Sequence, residues 1–248
     1  MSRPLLIPAL IALSVQTAEA AECTMQSAEH LVPVVELFTS EGCSSCPPAD
    51  RWLSGLSGEM RSSPLSVLAY HVDYWDYIGW RDRFADPAHG RRHQRHVAAS
   101  GGRIRYTPQV FVDGREYTAW RNGTRPATNL KPQLSLEATL TSLAPDRVIK
   151  LGLAGGGQAS HPASLTVALT ENSLSSEVAA GENAGRRLAH DFVVRDIADQ
   201  ALASADFRTE VALRLPPDAQ PQLTSVVVIV RDRQLRTLQS MVMPLCDG

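Results

Sequence analysis

The placement of four cysteines constrains this 248-residue chain more than any other feature. Cys43 and Cys46 form a C-x-x-C, while Cys23 and Cys246 stand far from it and from each other. Four cysteines can pair in three ways. The simplest partition is a reactive local pair plus a structural Cys23–Cys246 bridge; the alternative leaves two unpaired thiols. Closing so long a loop is worth about 4–5 kcal/mol on the chain-entropy account.

The neighbours of the C-x-x-C set its chemistry. Val34-Val35-Glu36-Leu37-Phe38 is a β-prone run, Gly42 breaks it, and Pro47-Pro48-Ala49-Asp50 reads as a first helical turn. A cysteine between a strand and a helix N-terminus meets free N–H groups that stabilise a thiolate. Cys43 is then expected to be the exposed attacking thiolate and Cys46 the more buried resolving thiol. Half a zinc site or an inert disulfide has the same pattern. No second C-x-x-C or Cys-His pair stands at zinc-finger spacing, which weakens the zinc reading.

Further along, Leu65 to His71 reads as a strand, Pro87 to Ser100 as a helix ending at Gly101-Gly102, and Gln109 to Val112 as a strand. Asp113-Gly114 is a hairpin turn, Glu116 to Trp120 a fourth strand, and much of Lys131 to Leu143 a last helix. Thr107-Pro108 precedes the third strand, where a proline's missing donor is tolerated. A cis bond there would face the Thr107 backbone toward the sulfurs to bind an extended substrate; an ordinary trans proline is the alternative. Beyond Ala144-Pro145, six β-prone stretches separated by turn residues predict a small antiparallel sandwich over residues 146–248.

The order β, C-x-x-C, α, β, α, Thr-Pro, β, β, α resembles the thioredoxin superfamily over roughly Val32 to Leu143. The segments Glu36 to Asp50, His71 to Trp80, Tyr106 to Gln109 and Gly181-Glu182-Asn183-Ala184-Gly185-Arg186 look more narrowly like the bacterial secreted family of unknown function numbered 1223. The resemblance implies an α/β thioredoxin-like fold over residues 21–145 with a β-rich extension, and places Cys43, Cys46 and Pro108 at the usual site positions. It supplies no activity. A buried carboxylate on the preceding strand often shuttles protons in that superfamily, and Glu36 is the candidate here, one residue out of register with Cys43. Gly42 and Ser44-Ser45 depart from thioredoxin's own residues.

Arg3, the apolar stretch Leu5 to Val15 and Ala18-Glu19-Ala20 read as a signal peptide over residues 1–20. The apolar stretch is shorter than the roughly 20 residues a bilayer span needs. A periplasmic or secreted protein without a membrane anchor is expected, in a compartment that favours disulfides. With a net charge of −2, no nucleic-acid partner is expected. The expected function is thiol–disulfide exchange with a protein or small-molecule substrate, needing no cofactor. The competing class is a binding module: a copper carrier using His71 with Cys43 and Cys46, or a domain with an inert Cys43–Cys46 bridge. His89, His93 and His96 share one helical face, which reads as a solvated basic face because Arg91, Arg92 and Arg95 crowd it. Tyr74, Trp75, Tyr77 and Trp80 either line a groove beside the cysteines or pack their connection.

Overall fold

Strong apolar alternation over the second half of the chain dictates sheet, and sheet dominates the computed structural model. It describes residues 22–60, 63–127, 130–141, 146–159 and 161–246, so the expected signal segment lies outside the described residues. The strands are β1 (Glu22–Gln26), β2 (Val34–Thr39), β3 (Ser66–His71), β4 (Gln109–Val112), β5 (Arg115–Glu116), β6 (Leu134–Thr141) and β7 (Val148–Gly157). They continue with β8 (Pro162–Glu171), β9 (Leu174–Glu177), β10 (Arg187–His190), β11 (Val193–Ala201), β12 (Phe207–Arg214), β13 (Thr224–Asp232) and β14 (Thr237–Pro244). The α-helices are α1 (Pro47–Gly55) and α2 (Pro87–Ala99). The architecture is mixed α/β, mostly sheet.

An eight-stranded sheet runs in the order β14-β13-β8-β11-β3-β2-β4-β5. Strand β2 is parallel to β3 and antiparallel to β4. A four-stranded sheet, β1-β6-β7-β12, and a ribbon, β9 with β10, complete the set. The division expected at residues 145 and 146 falls between strands that share both sheets. Strand β11 adds to β3 in parallel at Val193 and Ala69, and the Ala69 N–H donates to the Phe192 carbonyl at 2.8 Å. Cys23 and Cys246 are joined by a disulfide, Cα–Cα 6.1 Å, which ties β1 to the segment after β14.

Strand β13 carries Val226 to Val230 as an unbroken apolar run because both of its faces are covered. Val226, Val228 and Val230 meet Leu136, Leu140, Ile149 and Leu151 of the smaller sheet, while Val227 and Ile229 join Phe38, Tyr70 and Val97 on the other face. Helix α1 packs Ala49 and Leu53 onto Val35, Leu37, Val67 and Ala69. Strand pairing puts those residues on the same face as the smaller sheet, with α2 on the opposite face. Asp86 caps α2 by accepting the Ala88 N–H at 2.6 Å, and Pro87 occupies its first turn.

Two expectations are corrected. The helix predicted within Lys131 to Leu143 is strand β6: Leu134, Leu136, Ala138 and Leu140 are buried at every second position, the period of a strand. Residues 142–143 lie outside the described residues. The predicted fourth strand is cut to Arg115–Glu116, after which Thr118–Asn122 turns as a 3-10 helix and buries Trp120.

Candidate functional site

Strand β2 delivers the chain to Ser40-Glu41-Gly42 at the edge of the α1 face. The Cys43 N–H donates to the Ser40 carbonyl at 3.2 Å and the Cys46 N–H to the Cys43 carbonyl at 3.1 Å. Cys46 caps α1, and its carbonyl accepts the N–H groups of Ala49 and Asp50. Cys43 and Cys46 form a disulfide with Cα–Cα 5.4 Å. Gly42 is tightly packed beside it: a Cβ there would sit 3.0 Å from Trp75 Cβ, and Trp75 would have to give by a few tenths of an ångström.

The expectation of an exposed Cys43 is corrected: it is 1% exposed and Cys46 0%, while Ser44 and Ser45 reach solvent. The cover comes from the other half of the chain. In the turn at residues 181–186, the Asn183 side-chain amide donates to the carbonyls of Glu41 at 2.8 Å and Cys43 at 3.0 Å. Glu182 Oε2 accepts the Ser44 N–H at 2.9 Å. Gly181, at φ +75°, lets this turn press on Ile78 and Trp80.

The Thr107–Pro108 bond is cis. It stands against the C-x-x-C: Ser45 Oγ donates to the Thr107 carbonyl at 3.5 Å and lies 3.3 Å from Cys43 Sγ. Trp75 Nε1 donates to Thr107 Oγ1 at 2.7 Å. Trp75 and Trp80 are half-buried by such contacts, whereas Tyr77 is 82% exposed. Tyr74 stacks near His93 and beneath Arg105, and burial pushes its hydroxyl up to about 12.

Glu36 is not near this work. It pairs with Leu68 and Phe111 in register, so it points to the α2 face, away from α1. There it lies 2.7 Å from both Arg231 Nη2 and His96 Nε2. Burial opposes its ionisation, yet Arg231 and His96 outweigh that and hold it well below the usual carboxylate range.

The histidine face of α2 is also corrected, since His89, His93 and His96 are all buried and Arg91 and Arg95 point outward. His89 donates through Nδ1 to the His71 carbonyl at 2.8 Å. His93 stacks on Phe38 at 4.1 Å and donates to Gln109 Oε1 at 2.6 Å; burial lowers its pKa to about 4.

His71 is engaged elsewhere than the sulfurs. Its Nδ1 lies 2.6 Å from Asp82 Oδ2, and burial is outweighed by that carboxylate, so its pKa is raised. Asp82 Oδ2 also accepts the Glu41 N–H at 2.9 Å. Glu41 Oε2 accepts from Trp80 Nε1 at 2.7 Å, and its Oε1 lies 3.3 Å from His190 Nε2. The rings of His71 and His190 meet edge to face at 4.8 Å. Asp50 completes the group on α1. Among the described residues no three His, Cys, Asp or Glu side chains are arranged to hold a metal ion.

Sequence reasoning missed Glu182 and Asn183 as partners of the C-x-x-C loop, and the buried group of Glu41, Asp50, Asp82 and His190 around His71. The resemblance had marked residues 181–186 without a role. The local signal for Asp50 was its place one helical turn after Cys46, where side chains share a face.

The comparisons follow this geometry. The family model described as a protein of unknown function (DUF1223) matches residues 34–231. Protein AGR_C_4864 from Agrobacterium tumefaciens is similar in structure, with TM-score 0.59 and 21% identity over 90% of this chain and 98% of that one. HBP35 of Porphyromonas gingivalis gives TM-score 0.59 and 17% identity, over 88% of this chain and 76% of that one. No curated protein matches. A match spanning Val34 to Arg231, from strand β2 through the covering turn to β13, means that the chain belongs to the DUF1223 family.

Proposed function

We propose that this protein is an exported thiol–disulfide oxidoreductase of thioredoxin-like fold, with Cys43–Cys46 as its exchanging pair. The observation that carries the reading is the Cys43–Cys46 disulfide at the N-terminus of α1, with Thr107–Pro108 against its loop. The order β2, C-x-x-C, α1, β3, α2, Thr107–Pro108, β4, β5 supports the thioredoxin-like assignment. The two disulfides support an oxidising compartment such as the periplasm or the exterior.

In the reduced protein the Cys43 thiolate attacks a substrate disulfide. A Cys43–substrate bond forms, the substrate bond breaks, and one substrate thiolate leaves. Cys46 then attacks Cys43 Sγ, restores the internal disulfide and releases the second substrate thiol. Two electrons pass to the substrate; the reverse sequence oxidises a dithiol. Thr107 and Pro108 shape the surface where the substrate docks.

The burial of both sulfurs favours one second reading, an inert bridge that braces the loop. A Cys46→Ser variant separates the two. An exchange enzyme then accumulates a mixed disulfide through Cys43 with a model disulfide such as oxidised glutathione, one glutathione thiolate leaving, detected by mass. A Cys43 that forms no adduct even after prolonged incubation supports the inert bridge.

A further inference from the structure

The turn that covers Cys43 offers the C-x-x-C loop, from its side chains, the donor and acceptor groups of a peptide backbone. The Asn183 amide donates to the carbonyls of Glu41 and Cys43 at 2.8 and 3.0 Å, and the Glu182 carboxylate accepts the Ser44 N–H at 2.9 Å. Arg186 donates to Asn183 Oδ1 at 3.0 Å, which fixes the amide with its NH2 group toward the two carbonyls. An extended peptide laid along residues 41–44 presents the same kinds of group, N–H and C=O. The turn rides on β9 and β10, which pair with each other and with neither larger sheet. A two-stranded ribbon has little stability of its own. Outside the turn it is held by Arg83, which donates to the Ser175 carbonyl at 3.1 Å, and by His190, 3.3 Å from Glu41. Its feet are clasped: the Ser173 N–H donates to Asp191 Oδ1 and the Phe192 N–H to Asn172 Oδ1, both at 2.8 Å. Ser173 and Phe192 stand at φ 59° and 57°, left-handed positions where the chain turns sharply into and out of the ribbon. Residues 174–190 can swing from these two feet without breaking a ladder of either main sheet.

We propose that residues 181–186 are a built-in stand-in for substrate backbone, displaced when an extended, cysteine-bearing segment of a protein docks and the β9–β10 ribbon swings from Ser173 and Phe192. The proposal rests on the thiol–disulfide reading above and adds its substrate class and its gate. With Cys43 1% exposed, attack on its sulfur waits for the turn to leave. The N–H and C=O groups of the segment then take over the bonds to Glu41, Cys43 and Ser44. A cysteine thiolate of the segment attacks Cys43 Sγ, the Cys43–Cys46 bond breaks, and its electron pair goes to Cys46 Sγ, which takes a proton from water. A second cysteine thiolate of the segment displaces Cys43 as a thiolate. The segment leaves as a disulfide and the protein is left as a dithiol. A small thiol has no backbone to offer and waits for the turn to open by itself.

The test follows reduction of Cys43–Cys46, by alkylation and mass, with three dithiols: dithiothreitol, an unstructured peptide with two cysteines, and that peptide with the backbone nitrogens flanking its cysteines methylated. On the wild type the unmethylated peptide is expected to react about tenfold faster than the methylated one, the effect of losing a backbone hydrogen bond. Asn183→Ala is expected to speed dithiothreitol about tenfold, because the turn opens more often. Equal rates for the two peptides overturn the stand-in, and an unchanged dithiothreitol rate in Asn183→Ala overturns the gate; both leave exchange intact. A disulfide that none of the three dithiols reduces overturns the exchange reading as well. Hydrogen exchange on the wild type needs no variant to fold. The Ser44 amide, bonded to Glu182, and the Val178 and Gly185 amides of the ribbon are expected to exchange together and faster than those of β8. Protection of these amides equal to that of β8 overturns the proposal.

Discussion

The two faces of the eight-stranded sheet both bury charge, but they bury it differently. On the α2 face, Glu36 is clasped by Arg231 and His96, and Arg92 reaches Asp199 at 2.6 Å. Carboxylates there are outnumbered or matched by cations, and Glu36 stays ionised. On the α1 face, carboxyl groups outnumber imidazoles, and the surplus acid, Asp50, follows Cys46 by one helical turn. The first arrangement fixes a core. The second buries one more carboxyl group than it has imidazoles, and burial raises the Asp50 pKa.

The largest expected effect breaks the locked face. Glu36→Gln strips the charge from a pair that also holds Arg231, and stability falls by about 3–5 kcal/mol. Because folding lowers the Glu36 pKa, its contribution is present above the unfolded carboxyl value near 4.3 and is lost as pH falls further. Denaturant unfolding at neutral and acid pH checks both parts; the Cys43–Cys46 exchange rate should not change.

Removing the Cys23–Cys246 bridge as Cys23→Ser with Cys246→Ser acts on neither face. It is expected to cost about 2–5 kcal/mol. Thermal unfolding measures the loss, and reduction of Cys43–Cys46 should keep its wild-type rate.

Asn183→Ala sharpens the redox side. It strips the carbonyls of Glu41 and Cys43 of their donor, a cost of about 1–3 kcal/mol. The loosened turn exposes Cys43, so dithiothreitol should reduce the disulfide faster than in wild type. A slower reduction would mean that the turn activates the sulfurs rather than covering them.

The smallest effect distinguishes the faces by sign. Folding raises the Asp50 pKa, so the native state binds the proton more tightly than the unfolded chain. Asp50 therefore costs stability as pH rises from the unfolded value near 3.9 through its native value. Asp50→Asn removes that cost, and its stability relative to wild type should climb with pH over that window. Glu36→Gln shows no such gain.

What was legible in the sequence was whatever is local. The run Val34 to Phe38, the break at Gly42 and the prolines at 47 and 48 declared β2, the C-x-x-C and α1 within one stretch. Asp86 and Pro87 declared the start of α2. Strand β6 misled because Leu136 and Leu140 also satisfy a helical spacing, and its partners β1 and β7 decide the matter. The histidines of α2 looked solvated because their arginine neighbours were read with them; only the packing shows the two sets parting inward and outward. Glu36 was singled out for its strand, but strand alternation turns it from α1. Least legible was the setting of Cys43, since Glu182 and Asn183 bond its loop from the far half of the chain.

The measurement that tests the account most directly is a glutathione redox titration of the purified protein. Alkylation and mass spectrometry would read Cys43–Cys46 separately from Cys23–Cys246. The account predicts a Cys43–Cys46 potential between about −270 and −120 mV, the span of exchange-active pairs, with Cys23–Cys246 still oxidised. A Cys43–Cys46 pair that stays oxidised below about −300 mV would contradict it, because that is the behaviour of a structural bridge.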